Sequence, residues 1–120
     1  MFKKLLSLLF IAAAPVYAGS FESALSEKKD VLLYLYTQDC IMCKRFNPRF
    51  EQLKKTYPDI KFLSVDAQTS YGMKLMSKFR GRYVPFLVIT GHKSGKSAVI
   101  NPSCSIDDLC MARAIKGITK

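Results

Sequence analysis

The 120-residue sequence has no tryptophan and a single histidine, His92. A zinc site built from two cysteines and two histidines is therefore excluded, as is any mechanism that needs a pair of histidines. Acidic residues are also scarce: 9 Asp and Glu stand against 19 Lys and Arg, for a formal net charge of +10. Because the basic residues are scattered along the chain, they predict solvated faces, and we expect no nucleic-acid binding.

The composition fits one folded domain. Hydrophobic residues make up 49% of the chain and aromatic residues 12%, enough to form a core and to exclude generic disorder. A chain of this length is long enough for one domain and too short for two. We expect a monomer.

Residues 1–18 have the pattern of a secretory signal peptide. A basic start with two lysines precedes an apolar run from Leu5 to Val16, and small residues at Val16 and Ala18 predict cleavage after Ala18. The run is shorter than the roughly 18 residues of a membrane-spanning helix, although an uncleaved anchor is the alternative. The mature domain is thus predicted to cover residues 19–120 and to work in the periplasm or another extracytoplasmic space, where disulfides persist.

The mature sequence predicts alternating helices and strands. Residues 31–36 are an unbroken apolar run, which is typical of a strand that is covered on both faces. Further strands are predicted at 60–65, 85–90 and 97–100, and helices at 20–29, 41–55, 70–79 and from Ser105 onward. Asp108, three residues after Ser105, completes a capping-box pattern. The order predicts an α/β fold in which helices cover both faces of a four-stranded mixed sheet.

The predicted helices are amphipathic, and two of their buried sides matter most for the fold. Phe46, Phe50 and Leu53 fall on one face of the helix at 41–55, and Pro48 within that helix is predicted to kink it. The buried side of the last helix is predicted to consist of Met111, Ala112, Ile115 and Ile118.

The candidate reactive groups are Cys40 and Cys43, which follow the predicted strand at 31–36 and open the predicted helix at 41–55. The first turn of a helix has unpaired N–H groups and a partial positive charge, so a thiolate there is stabilised. We therefore expect the pKa of the Cys40 thiol to lie below that of a free cysteine. Cys40 is predicted to be the exposed nucleophile and Cys43, about a turn inward, to resolve the mixed disulfide.

Charged neighbours act on this pair in opposite directions. Lys44 and Arg45 lower the expected thiol pKa, whereas Asp39 raises it. Ile41 and Met42, between the cysteines, add no charged or hydrogen-bonding side chain. An inert structural disulfide and half of a metal site are the alternatives to a redox role.

Three features in order resemble the thioredoxin family over nearly all of the mature length. A buried strand leads into Cys40 and Cys43, Pro48 follows eight residues after the first cysteine, and Val84-Pro85 opens a later strand. The resemblance implies a thioredoxin-like fold in which Pro85 is cis and lies beside the redox pair. It also implies that the backbone of Val84 pairs with substrate.

The resemblance further implies a thiol–disulfide oxidoreductase that acts on protein thiols and disulfides and needs no cofactor beyond its redox-active disulfide. An apolar surface at Ile41 and Met42 would bind substrate, reduction or isomerisation is the favoured direction, and an electron donor in the membrane is an expected partner. One departure is Tyr34, which stands where thioredoxin has a buried acid six residues before the first cysteine. A non-catalytic binding module and a cysteine-based metal carrier are the alternatives.

Cys104 and Cys110 form the second close pair. We predict a local structural disulfide at the start of the last helix. The alternatives are a second redox pair that relays electrons to Cys40 and Cys43, and one zinc ion held by all four thiolates. The irregular spacing of the four cysteines argues against zinc, and no metal site is predicted.

Overall fold

The computed structural model describes residues 20–119. The predicted signal peptide and its cleavage site lie outside the described residues. In chain order the elements are α1 (Phe21–Ser26), β1 (Val31–Tyr36), α2 (Ile41–Thr56), β2 (Lys61–Asp66), α3 (Ser70–Lys78), β3 (Phe86–Thr90), β4 (Ser97–Ile100), α4 (Pro102–Ser105) and α5 (Asp108–Thr119). Across residues 20–119, no helix has the length and apolar character needed to cross a membrane.

The four strands form one mixed sheet in the order β2-β1-β3-β4. β1 is parallel to β2 and antiparallel to β3, and β4 is antiparallel to β3. The central position of β1 explains its unbroken apolar sequence, because both of its faces are covered. The predicted α/β architecture, a four-stranded mixed sheet with helices on both faces, is confirmed.

Each face of the sheet has its own hydrophobic core. One core contains Leu32 and Tyr34 of β1 with the inward faces of α2 and α5, and the other contains Leu33 and Leu35 with α1 and α3. The predicted stripe of α2 is confirmed, since its two phenylalanines and Leu53 are all buried. On α5 the prediction is wrong for Ala112, which is exposed.

The predicted start of the last helix is wrong. Ser105 ends the short helix α4 instead, and its buried hydroxyl donates to the carbonyl of Pro102 at 2.6 Å. Asp107 caps α5, because its Oδ1 accepts hydrogen bonds from the backbone N–H groups of Leu109 and Cys110 at 2.9 and 3.0 Å. Serine and aspartate are both good N-caps, and the burial of Ser105 in this fold leaves the role to Asp107.

α2 runs through Pro48 without a break from Ile41 to Thr56. Because proline has no N–H, the carbonyl of Lys44 has no hydrogen-bond donor four residues further along the helix. The strands and the remaining helices lie within three residues of their predicted ends.

Candidate active site

The predicted site residues lie together at one end of the sheet. Cys40 follows the carboxyl end of β1. Leu35 pairs with Phe86 in the antiparallel register, so Pro85, which precedes Phe86, lies at this same end. Ile100 pairs with Leu87, which brings α4 and the second cysteine pair to this end as well.

Cys40 is the N-cap residue of α2 and is joined to Cys43 by a disulfide. The Sγ atom of Cys40 accepts a hydrogen bond from the backbone N–H of Cys43 at 2.9 Å. This N–H is one of those that a helix leaves unpaired in its first turn. The hydrogen bond therefore aims the positive end of α2 at the sulfur on which a thiolate would form.

The two cysteines differ in access to solvent. Cys43 is 2% exposed and packs in the core, whereas Cys40 is half-buried at the surface. Ile41 and Met42 between them are 66% and 59% exposed. An incoming disulfide can thus reach Cys40 and the apolar side chains beside it, but not Cys43.

The peptide bond between Val84 and Pro85 is cis, as the resemblance implies. Val84 and Cys40 are both partly buried and pack against the same core cluster. The preceding residue, Tyr83, is an exposed aromatic side chain whose ring packs edge-on against Phe86. The geometry thus groups the predicted substrate-pairing residue, an exposed aromatic ring and the accessible sulfur at one end of the sheet.

Tyr34 lies beneath the cysteines. Its hydroxyl oxygen is 3.2 Å from the carbonyl oxygen of Cys43 and 2.9 Å from Oδ1 of Asn47. Burial raises the pKa of Tyr34 to about 12, with a smaller contribution from the nearby Tyr36. The hydroxyl therefore stays protonated and acts as a hydrogen-bond donor near neutral pH. Sequence analysis noted Tyr34 but missed Asn47, although Asn47 is one helical turn after Cys43 and so lies on the same face.

Cys104 and Cys110 are joined by a disulfide that links α4 to α5. Arg49 of α2 reaches into the loop that this bond closes, where its Nε donates to the carbonyl of Ser105 at 2.8 Å and its Nη2 to Asp108 at 2.7 Å. Sequence analysis missed Arg49, because nothing in the local pattern links it to residues more than fifty positions away.

The candidate metal donors of this site are its cysteine sulfurs. Within the described range 20–119, no cluster of three or more His, Cys, Asp and Glu side chains is placed to hold a metal ion. The sulfur atoms of the two cysteine pairs are engaged in disulfides. The site is therefore built around a disulfide whose attacking sulfur is accessible.

Comparison with known proteins assigns this fold. A family model described as Thioredoxin matches residues 12–110. The first thioredoxin domain of mouse protein disulfide-isomerase A4 is 25% identical, with a TM-score of 0.67 over 86% of this chain and 72% of that chain. Thioredoxin from Trypanosoma brucei brucei is 22% identical, with a TM-score of 0.65 over 80% of this chain and 83% of that chain. Oxidised thioredoxin O2 from Arabidopsis thaliana is 22% identical, with a TM-score of 0.59 over 83% of this chain and 87% of that chain.

The fold and the Cys40–Cys43 pair define the class of thiol–disulfide oxidoreductases. The chain belongs to the thioredoxin family. Members of this family use a redox-active disulfide and no separate cofactor, and thioredoxin-like proteins act on protein disulfides. A search of curated protein sequences gives no match to the chain.

Proposed function

We propose that this chain is an exported thiol–disulfide oxidoreductase that exchanges disulfides with protein substrates through Cys40 and Cys43, in the direction of reduction or isomerisation. The observation that carries the proposal is the position of Cys40. It is the accessible N-cap residue of α2, its sulfur accepts a hydrogen bond from the N–H of Cys43, and its disulfide partner is buried.

Reduction of a substrate begins with the Cys40 thiolate. It attacks one sulfur of the substrate disulfide, the substrate S–S bond breaks, and a mixed disulfide forms while one substrate thiolate leaves. Cys43 then loses its proton and attacks Cys40 Sγ, which restores the Cys40–Cys43 disulfide and releases the second substrate thiolate. Two electrons pass from the dithiol to the substrate, and the two substrate thiolates take up protons from solvent.

Substrate binding is assigned to the surface around the accessible sulfur. The backbone of Val84, next to Pro85, offers hydrogen-bonding groups to an extended substrate segment. The exposed Ile41 and Met42 supply apolar contact area beside Cys40. These residues together suit an unfolded or flexible protein segment that presents a disulfide with apolar neighbours.

Export is supported by residues 1–18, whose pattern is that of a cleaved signal peptide. Two disulfides in a chain of this size also suit an oxidising compartment. In the periplasm or an equivalent space, a protein that reduces substrates needs electrons from elsewhere, and a membrane-bound dithiol protein is the proposed donor. The protein is proposed to act as a monomer.

Export is tested by expressing the full chain in a bacterial host and weighing the product of the extracytoplasmic fraction by mass spectrometry. A protein that begins at Gly19 supports export and the cleavage site. Retention of the intact chain in the cytoplasmic or membrane fraction contradicts them.

The activity is tested by redox titration of the purified protein against glutathione, with the thiols alkylated and each cysteine located by mass spectrometry. A reversible midpoint at Cys40 and Cys43 supports the oxidoreductase, and Cys40→Ser serves as the control. A midpoint towards about −270 mV marks a reductant, and one towards about −120 mV an oxidant. A pair that never exchanges would indicate a binding module, and stoichiometric metal in the reduced protein a metal carrier.

A further inference from the structure

The hydrogen bonds around Tyr34 connect the buried cysteine to both neighbouring elements. A hydroxyl has a single proton, yet Tyr34 Oη lies within hydrogen-bonding distance of two oxygens, those of Cys43 and Asn47. With the Asn47 amide turned over, its N–H donates to Tyr34, and Tyr34 donates to the carbonyl of Cys43. Both groups are then satisfied, and a chain of hydrogen bonds runs from Asn47 through Tyr34 to Cys43.

Cys43 is thereby held at both ends of its backbone. Its carbonyl is fixed by Tyr34 of β1, and its N–H donates to the sulfur of Cys40. In the mixed disulfide, the sulfur of Cys43 must approach Cys40 Sγ along the S–S axis. A hydrogen bond from the rigid central strand restricts how far the first turn of α2 can move away during that attack.

The same chain of hydrogen bonds reaches solvent. Tyr34 is 2% exposed, whereas Asn47 is exposed. A pocket adjoins both residues, and its lining residues are Tyr34, Tyr36, Asn47, Phe50, Glu51 and Ser64. The backbone carbonyl of Cys43 is therefore linked to the surface through the side chains of Tyr34 and Asn47.

The titratable groups in that lining are few. Tyr36 faces Tyr34 from β1, and Glu51 faces the pocket from α2, where it pairs with Lys54 at 3.1 Å. β2 contributes Ser64, which is uncharged. Within residues 20–119, no carboxylate is hydrogen-bonded to the Tyr34 hydroxyl.

We infer that Tyr34 and Asn47 are positioning residues for the resolving cysteine. They fix the carbonyl of Cys43, and with it the first turn of α2, for the attack of the Cys43 sulfur on Cys40. The inference rests on the proposed exchange reaction. In that step the Cys43 S–H bond breaks and its proton passes to solvent, the Cys43–Cys40 S–S bond forms, the bond from Cys40 to substrate breaks, and the substrate sulfur leaves as a thiolate.

The test separates attack from resolution. The reduced protein is mixed with an aromatic disulfide whose released thiolate is coloured. The first thiolate reports attack by Cys40, and the second reports resolution by Cys43. We expect Tyr34→Phe to release the first thiolate at the wild-type rate and the second roughly tenfold more slowly, as the loss of one hydrogen bond predicts. Mass spectrometry should then show accumulated mixed disulfide at Cys40.

The matched control is Tyr36→Phe, which removes a hydroxyl from the same pocket but not the contact with Cys43. It should resolve at the wild-type rate. A general loosening of the fold would slow the release of both thiolates and lower the denaturation midpoint. A slower release of the second thiolate alone therefore identifies a positioning role. Asn47→Ala changes an exposed residue and is the second variant, with resolution expected to slow several-fold.

The inference is overturned if Tyr34→Phe and Asn47→Ala both resolve within twofold of wild type. It is also overturned if Tyr36→Phe slows resolution as much as Tyr34→Phe. Failure of the proposed function is a different result: the wild-type protein then releases no more coloured thiolate than Cys40→Ser does.

Discussion

Arg49 and Asp108 form an ion pair at 2.7 Å that joins the helix of the redox pair to the first turn of α5. The Arg49 side chain is 15% exposed and that of Asp108 is 90% exposed, so the two ends of the contact lie in different environments. The same guanidinium also donates to the carbonyl of the buried Ser105. Arg49 thus connects α2 to the loop that the Cys104–Cys110 disulfide closes.

Arg49→Ala should destabilise the protein by about 1–2 kcal/mol. Most of the loss comes from the hydrogen bond to Ser105, because the carbonyl of this buried residue is left without that donor. Asp108→Asn should lower the free energy of unfolding by less than about 0.5 kcal/mol, since an exposed ion pair is screened by water. Chemical denaturation of the oxidised proteins measures both changes. Equal losses of unfolding free energy in the two variants would show that the ion pair, and not the hydrogen bond to Ser105, supplies the stabilisation.

Replacing both Cys104 and Cys110 by serine should lower the free energy of unfolding by about 2 kcal/mol. The bond closes a short loop, with a sequence separation of 6, so it restricts the unfolded chain only modestly. Exchange at Cys40 and Cys43 should continue at the wild-type rate if the bond is structural. A loss of exchange without unfolding would show that the second pair relays electrons.

The parts of the fold that sequence predicts well are those with a strong local pattern. The apolar run of β1 matches the observed strand at both ends, because a strand covered on both faces needs apolar residues throughout. Cys40 lies at the N-terminus of α2 as expected, since the end of a buried strand and the start of an amphipathic helix are both local features.

The parts that sequence predicts poorly depend on contacts between distant segments. The start of α5 was misplaced because Ser105 and Asp107 have similar capping propensities, and only the burial of Ser105 in the folded protein decides between them. Arg49 could not be identified because its partners are 56 and 59 residues away. The role of Asn47 follows from its contact with Tyr34, which lies 13 positions earlier in the sequence and on a different element.

Gly72→Ala should destabilise the protein by roughly 1–3 kcal/mol. Gly72 is buried in the first turns of α3, and a Cβ atom there would overlap the backbone carbonyl of Asp66 at the end of β2. Gly117→Ala in α5 is the matched control, since a Cβ at that exposed site would meet open space. It should stabilise the protein by about 0.5–1 kcal/mol through helix propensity. Denaturation curves measure both, and a tolerated Gly72→Ala would contradict the tight approach of α3 to β2.

Tyr34 should be among the last tyrosines to ionise as the pH rises. Burial raises its pKa from 10.0 to about 12, so the folded protein keeps the proton over a range in which the unfolded chain loses it. The resulting stabilisation is present in full below about pH 10 and is lost as the pH rises towards 12. Ultraviolet absorbance of tyrosinate measures the ionisation, and Tyr34→Phe should remove its most alkaline component. An unchanged titration in that variant would contradict the assignment.

Asp39→Asn should lower the pKa of the Cys40 thiol by a few tenths of a unit. Asp39 is exposed and directly precedes Cys40, so its negative charge opposes the thiolate that the N-terminus of α2 stabilises. Because the charge is exposed, the effect should shrink as salt is added. The pH dependence of alkylation of the reduced protein by iodoacetamide, read at Cys40 by mass spectrometry, gives the pKa.

The matched control for this change is Asp59→Asn. Asp59 is also exposed, but it precedes β2 and so lies at the opposite end of the sheet from Cys40. The two variants change the net charge equally and differ only in their distance from the sulfur. A local effect requires that Asp59→Asn leave the thiol pKa at its wild-type value. If both variants shifted it equally, the Cys40 thiolate would be responding to the overall charge of this basic protein, and its reactivity would not be set by the residues around α2.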